Sequence, residues 1–196
     1  MKIIIAGAGK VGKTLTKELS ADGYDITLID RNSDILETVS NKYDVITYEG
    51  NAATVNALSE ASIADTDVFI AATSADEVNV LACMTARALN PNVHVIARVR
   101  TPEYVSGLLQ LQDHFHLSLI INPESEAAIE IAGLLKLPEF TKVEHFSKSR
   151  AEIAELKIED NSRIKNIKLS DFHKRVQAQV LISAILRNGN IILPDG

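Results

Sequence analysis

The chain has 196 residues, 46% of them apolar and 23% charged, with a formal net charge of −6. That length can hold one full core and a second small unit, and the acidic balance gives no support to nucleic acid as a partner. A single cysteine, Cys83, rules out an intramolecular disulfide and points to a cytosolic compartment.

The first strand signal is Lys2-Ile3-Ile4-Ile5-Ala6, and a chain opening this way is expected to carry no signal peptide. It runs into Gly7-Ala8-Gly9-Lys10-Val11-Gly12, and a helix is predicted from Val11 to about Ala21. Asp25 to Asp30 reads as a buried strand, followed by a helix capped by Asn32 or Ser33 and running to about Lys42. Val45 to Glu49 is the third strand, closed by Gly50-Asn51, with a helix through Val55 and Leu58 beyond it. Asp67 to Ala72 is the fourth, and Ser74 or Asp76 can cap a long helix from Glu77 to Leu89, ended by Asn90-Pro91. Val93 to Val99 is the fifth strand, Pro102 opens a helix through Leu111, and Ser118 to Ile121 is the sixth. Apolar strands alternating with helices predict an α/β fold with a doubly wound parallel sheet.

Asn122-Pro123 begins another helix, to about Leu137, whose polar stripe of Glu126, Glu130 and Gly133 is narrow. A surface helix needs only one apolar face, and Ile129, Ile131, Leu134 and Leu135 give this one more than that. Residues 138–149 read as a linker, and 150–196 as a partial small α+β domain. There, Ile153 to Ile158 suggests a strand, Leu169 to Phe172 a helical turn, and Gln179 to Arg187 a strong strand. Asn188-Gly189-Asn190 is a hairpin turn returning through Ile191 to Leu193. Two such strands entering a further turn at Pro194 predict a unit completed by more chain or by another copy. The domain reading is therefore 1–137 for nucleotide binding, a linker, and an incomplete C-terminal domain.

The glycine run is the strongest chemical signal. Gly7 allows a tight turn, Gly9 lets a pyrophosphate reach the backbone, and Gly12 lets the helix pack on the strand. The helix start presents free N–H groups and a positive dipole end, with Ala8, Lys10 and Val11 completing the cradle. Asp30, eighteen residues past Gly12, can accept hydrogen bonds from a ribose diol, and Arg31 stands beside it. The other strand ends should line the same crevice: Gly50, Asn51 and Ala52, then Thr73 and Ser74, then Arg98. Turn formation and helix capping account equally well for Gly50-Asn51. Arg98 lies within an apolar strand, where an unpaired charge is costly; a phosphate or a carboxylate such as Asp76 would account for it. The histidines His94, His114, His116, His145 and His173 form no zinc-ligand pattern, and no nucleophile or general acid stands at a recognisable spacing.

These stretches, together with Ala71 to Asn79, Ile96 to Arg100 and Ile121 to Glu124, resemble the regulator-of-potassium-conductance family, also called KTN domains, and within it the Trk-type uptake regulators. The resemblance covers nearly the whole chain. It implies a non-enzymatic subunit that binds NAD(H) or ATP/ADP. It also implies a homodimer, assembling further into a tetramer or ring beneath a membrane potassium transporter or channel. Such a subunit would be cytoplasmic and peripheral, without direct membrane insertion. A potassium channel or an efflux antiporter as the partner, or an NAD-dependent dehydrogenase fragment, are the competing readings.

Overall fold

The computed structural model describes residues 1–136, 140–146, 151–162, 164–175 and 180–194. The chain divides into two compact units, Met1–Ile129 and Glu130–Gly196.

The first unit alternates strand and helix: β1 (Lys2–Ala6), α1 (Lys10–Ala21), β2 (Asp25–Asp30), α2 (Ser33–Ser40), β3 (Ile46–Glu49), α3 (Val55–Glu60), β4 (Val68–Ala71), α4 (Asp76–Leu89), β5 (His94–Arg98), α5 (Pro102–Phe115) and β6 (Leu119–Ile121). A single 3₁₀ turn, Ile63–Asp65, precedes β4. All six strands are parallel in the order β3-β2-β1-β4-β5-β6. The order reverses beside β1, between β2 and β4, where open α/β sheets leave a crevice outside the strand ends.

Alternation along the strands divides the core between the two faces of the sheet. Ile4, Ala6, Phe69, Ala71, Val95 and Ala97 pack with Leu58 of α3 and with Ala82, Cys83 and Ala86 of α4. Ile3, Ile5, Ile26 and Leu28 face Leu36 and Val39 of α2, with Leu15 and Leu19 of α1 against them. Burial on both faces is why these strands read as continuous apolar runs. Cys83 is a core residue whose thiol burial pushes up to about 12, so it stays neutral and unreactive.

Local chemistry sets the boundaries. The Asn32 side chain accepts from Ile35 N–H (3.1 Å) and caps α2. Asn90, expected to end α4, is buried and donates to the carbonyls of Ile63 (2.9 Å) and Thr66 (3.0 Å), pinning the helix end to the 3₁₀ turn.

Helix α6 (Pro123–Lys136) runs across the division between the units. The second unit contains β7 (Phe140–Phe146) and β8 (Ala151–Leu156), paired antiparallel, then α7 (Leu169–Arg175) and the hairpin β9 (Ile185–Arg187) and β10 (Asn190–Ile192). The stretch expected to be a linker is therefore largely strand β7, while 138–139 and 147–149 lie outside the described residues. Phe140, Thr141, Val143 and Phe146 are strand formers, but interleaved Lys142, Glu144 and His145 hide the pattern. The predicted strand from Gln179 shortens to Ile185–Arg187, because β10 offers only three residues to pair with. Gln179 itself lies outside the described residues. The hairpin turn is as read, with Asn188 at φ 52° and Gly189 at φ 78°.

Candidate functional site

At the carboxyl end of β1 the chain turns sharply. Gly7 has φ +103°, and a Cβ there would stand 2.8 Å from Thr73 N and 2.9 Å from Ala72 O. Its N–H donates to Ile29 O at 2.7 Å. Gly12 is more constrained still: a Cβ would lie 1.8 Å from Gly7 O. Gly9 differs from both, with no atom within 4 Å of a Cβ position. It is the N-cap of α1 and has no side-chain cap of its own to offer. Two glycines are thus fixed by protein packing, and the middle one faces open space at an uncapped helix start. That is a cradle a side chain would obstruct, and it fits a pyrophosphate.

Asp30 ends β2 beside this turn. Its Oδ2 accepts from Ala8 N–H at 2.6 Å and its Oδ1 from Asn32 N–H at 2.9 Å. A carboxylate has about four acceptor positions, so capacity for ribose hydroxyls remains. Asp30 therefore holds the glycine turn. Ala8 is buried, while Lys10 and Arg31 are exposed and Val11 is half-buried.

At β3 the turn chemistry is explicit. Gly50 N–H donates to Asp30 O (2.8 Å), and a Cβ on Gly50 would meet Tyr48 Cε1 at 2.8 Å. Asn51 Oδ1 accepts from Ala53 N–H (3.1 Å), its carbonyl accepts from Thr54 N–H (2.9 Å), and Ala52 is buried.

At β4 and β5 the arrangement differs from expectation. Asp76 is the first residue of α4 rather than its cap, which is Ala75. Its Oδ2 accepts from Arg100 N–H (3.0 Å), Thr101 N–H (2.9 Å) and the Thr101 hydroxyl (2.8 Å). Arg100 Nε lies 3.5 Å from Oδ1, and the Arg100 guanidinium donates to Ser74 O. Burial opposes charge on Asp76, but the Thr101 and Arg100 donors outweigh it and hold the carboxyl below its ordinary 3.8. The carboxylate that pairs with Arg98 is therefore not Asp76 but Glu124 at the start of α6. Asp76 is already committed to the start of α5. Burial likewise opposes charge on Glu124, yet its own backbone N–H and Arg98 keep it below the usual glutamate range. Arg98 Nε is buried without a partner.

Asn79 is absent from the sequence-derived site and is central to this side of it. Completely buried, it accepts from Thr73 N–H (2.8 Å) and the Thr73 hydroxyl (2.7 Å) and donates to Arg98 O (2.8 Å). A polar, weak helix former set between Val78 and Val80 was the available signal. Among the described residues, no group of three or more His, Cys, Asp or Glu could hold a metal ion, and no helix is long and apolar enough to cross a membrane.

Residues 3–123 match the model of the TrkA-N domain. This chain belongs to the TrkA-N family. The Trk system potassium uptake protein TrkA of Haemophilus influenzae is 35% identical over 199 residues, spanning 100% of this chain and 43% of that protein. A TrkA homologue of Archaeoglobus fulgidus is also 35% identical, covering 44% of its length. The chain thus spans less than half the length of these curated relatives. Among solved structures, the TrkA-N domain of the Escherichia coli inner membrane protein ybaL superposes with a TM-score of 0.62 at 22% identity, covering 68% of this chain and 96% of that one. The AMP-bound Kef CTD of Shewanella denitrificans gives 0.57 at 22% identity (70% and 82%). The GsuK channel bound to NAD gives 0.56 at 21% identity (74% and 25%). These likenesses establish the TrkA-N fold for the first unit.

Asp76→Ala should cost about 3 kcal/mol near neutral pH, because it strands the part-buried backbone donors of Arg100 and Thr101 and leaves the Arg100 guanidinium without its carboxylate. The folded carboxyl titrates below its ordinary 3.8, so this contribution is complete above roughly pH 5 and is lost as pH falls through the folded value. The gap between the urea midpoints of the two proteins should therefore narrow as pH falls below about 5. An equal gap at pH 7 and pH 3 would show that the ionised form is not what stabilises the junction.

Proposed function

We propose that the first unit binds NAD(H) or an adenine nucleotide such as ATP or ADP, and that the chain is part of a regulatory subunit for membrane potassium uptake. The observation that carries the nucleotide reading is the open Gly9 at an uncapped helix start, flanked by Gly7 and Gly12 and by the Asp30 carboxylate. In this reading Gly7, Ala8, Gly9, Lys10, Val11 and Gly12 hold the phosphates, and Asp30 takes the ribose diol. Arg31, Gly50, Asn51 and Ala52 line one side, and Thr73, Ser74 and Arg98 the other. Bound AMP and NAD in the Kef and GsuK structures support the ligand class. The names of the Trk relatives support potassium transport as the process. The role is regulatory rather than catalytic: the ligand shifts an equilibrium by binding two arrangements of the subunit unequally. The GsuK and Kef likenesses favour, as a second reading, the same module serving a channel or another transporter. In either case it works at the cytoplasmic face of the membrane through its partner.

We also propose that α6 pairs two copies. Ile129, Ile131 and Leu135 are 54%, 58% and 77% exposed. Three large apolar side chains within seven residues of one helix suit a self-complementary two-fold contact, which can be the first step towards a tetramer or ring. Light scattering should give a dimer for the wild type and a monomer that still binds nucleotide for the Ile131→Glu/Leu135→Glu variant. A wild-type monomer at micromolar concentration would reject the contact.

Calorimetry tests the ligand. NADH should bind more tightly than NADPH, because Asp30 repels a 2′-phosphate. Asp30→Ala should weaken NADH binding by roughly ten- to a hundredfold, the equivalent of losing ~1.5–3 kcal/mol of charge-assisted hydrogen bonding. Tighter binding of NADPH, or an unchanged dissociation constant in the variant, would place the ribose elsewhere.

A further inference from the structure

The crevice has two walls, and each is held by a different side chain. On the β2 side, the Asp30 carboxylate fixes Ala8 and the Asn32 turn. On the β4 side, the Asn79 amide does the corresponding work from beneath the surface. Its orientation is forced by its neighbours: Thr73 N–H can only donate, and Arg98 O can only accept. With Thr73 O at 3.3 Å from Nδ2, both acceptor positions and both donors of the amide are engaged. Its targets are functional in position. Thr73 N is the atom that would meet a Cβ on Gly7, so the turn Asn79 holds is packed against the glycine turn. Arg98 O belongs to the strand whose side chain reaches Glu124. The strand order puts β1 between β2 and β4. A mononucleotide seated on Asp30 and the start of α1 uses only the first wall. A dinucleotide has a second nucleoside that must cross β1 towards Thr73 and Ser74.

We propose that Asn79 is a positioning residue for dinucleotide binding: it fixes the β4–α4 turn as the seat of the second nucleoside while touching no ligand itself. This rests on the nucleotide reading above and adds to it a division of labour. The Asp30 wall serves any adenine nucleotide, and the Asn79 wall distinguishes NAD(H) from AMP. The Asn79→Asp change keeps the shape and an acceptor for Thr73 but replaces the donor to Arg98 O with a second acceptor oxygen. Asn79→Ser is a smaller alternative should the first variant fail to fold.

The test is titration of the full chain with NADH and, separately, with AMP, on whichever variant has the wild-type circular dichroism spectrum. NADH affinity should fall by about tenfold or more while AMP affinity stays within about twofold, the first loss corresponding to the hydrogen bonds removed from the turn. Loss of both affinities in equal proportion would show a general loosening of the core and overturn the proposal. So would unchanged NADH binding, or neither variant folding, since Asn79 would then be a core residue first. If the wild type binds neither probe, the nucleotide reading itself fails, and this assignment falls with it.

Discussion

The first turn of α1 lies so close to the end of β1 that a Cβ on Gly12 would stand 1.8 Å from Gly7 O. No rotamer relieves a backbone contact of that kind, so the helix can approach the strand only where residue 12 lacks a side chain. The rest of the site follows from this approach. It places the helix start over the strand ends, leaves Gly9 facing open space, and brings Gly7 against the backbone of Ala72 and Thr73. A wider separation would leave the helix start too far from the crevice for its N–H groups to hold an anion.

Around that contact, polar side chains, some buried and some half-buried, fasten loops that apolar packing alone would leave free. Thr16, fully buried in α1, returns its hydroxyl to Gly12 O at 2.8 Å. Asp30 ties β2 to the glycine turn, Asn79 ties the β4 turn to the end of β5, and Asp76 ties α4 to the start of α5. Each such group must be satisfied when buried, so each also specifies one arrangement of its loop. Arg98 and Glu124 extend the series to the first turn of α6, the helix that leaves the unit. A ligand bound on the strand ends would thus lie over loops connected through side chains to that helix.

The parallel sheet was legible in the sequence because burial on both faces turns Ile3 to Ala6 and Ile26 to Ile29 into largely apolar runs, while Val93, Val95, Ala97 and Val99 mark β5 by their alternation. The glycine turn was legible because its spacing is set by backbone geometry that few other residues permit. Long-range polar pairing was not. Arg98 called for a phosphate or a carboxylate, and Asp76, just past the end of the neighbouring strand, was the carboxylate expected. Only the fold shows that Asp76 is used by Arg100 and Thr101, leaving Glu124 for Arg98. Asn79 closes a family-like stretch, but a lone asparagine in an amphipathic helix gives no sign of which strand ends it will reach. Strand β7 was hidden because its partner, not its own alternation, makes it a strand.

The central claim is that a nucleotide's phosphates lie on the open Gly9 at the start of α1 with its ribose on Asp30. Amide chemical-shift mapping of the isotope-labelled chain during titration with NADH tests this most directly. The account predicts the largest shifts at Gly9, Lys10 and Val11, with further shifts at Ala8, Asn32 and Thr73. Shifts confined to residues beyond Ile129, or no saturable shift at millimolar NADH, would contradict it.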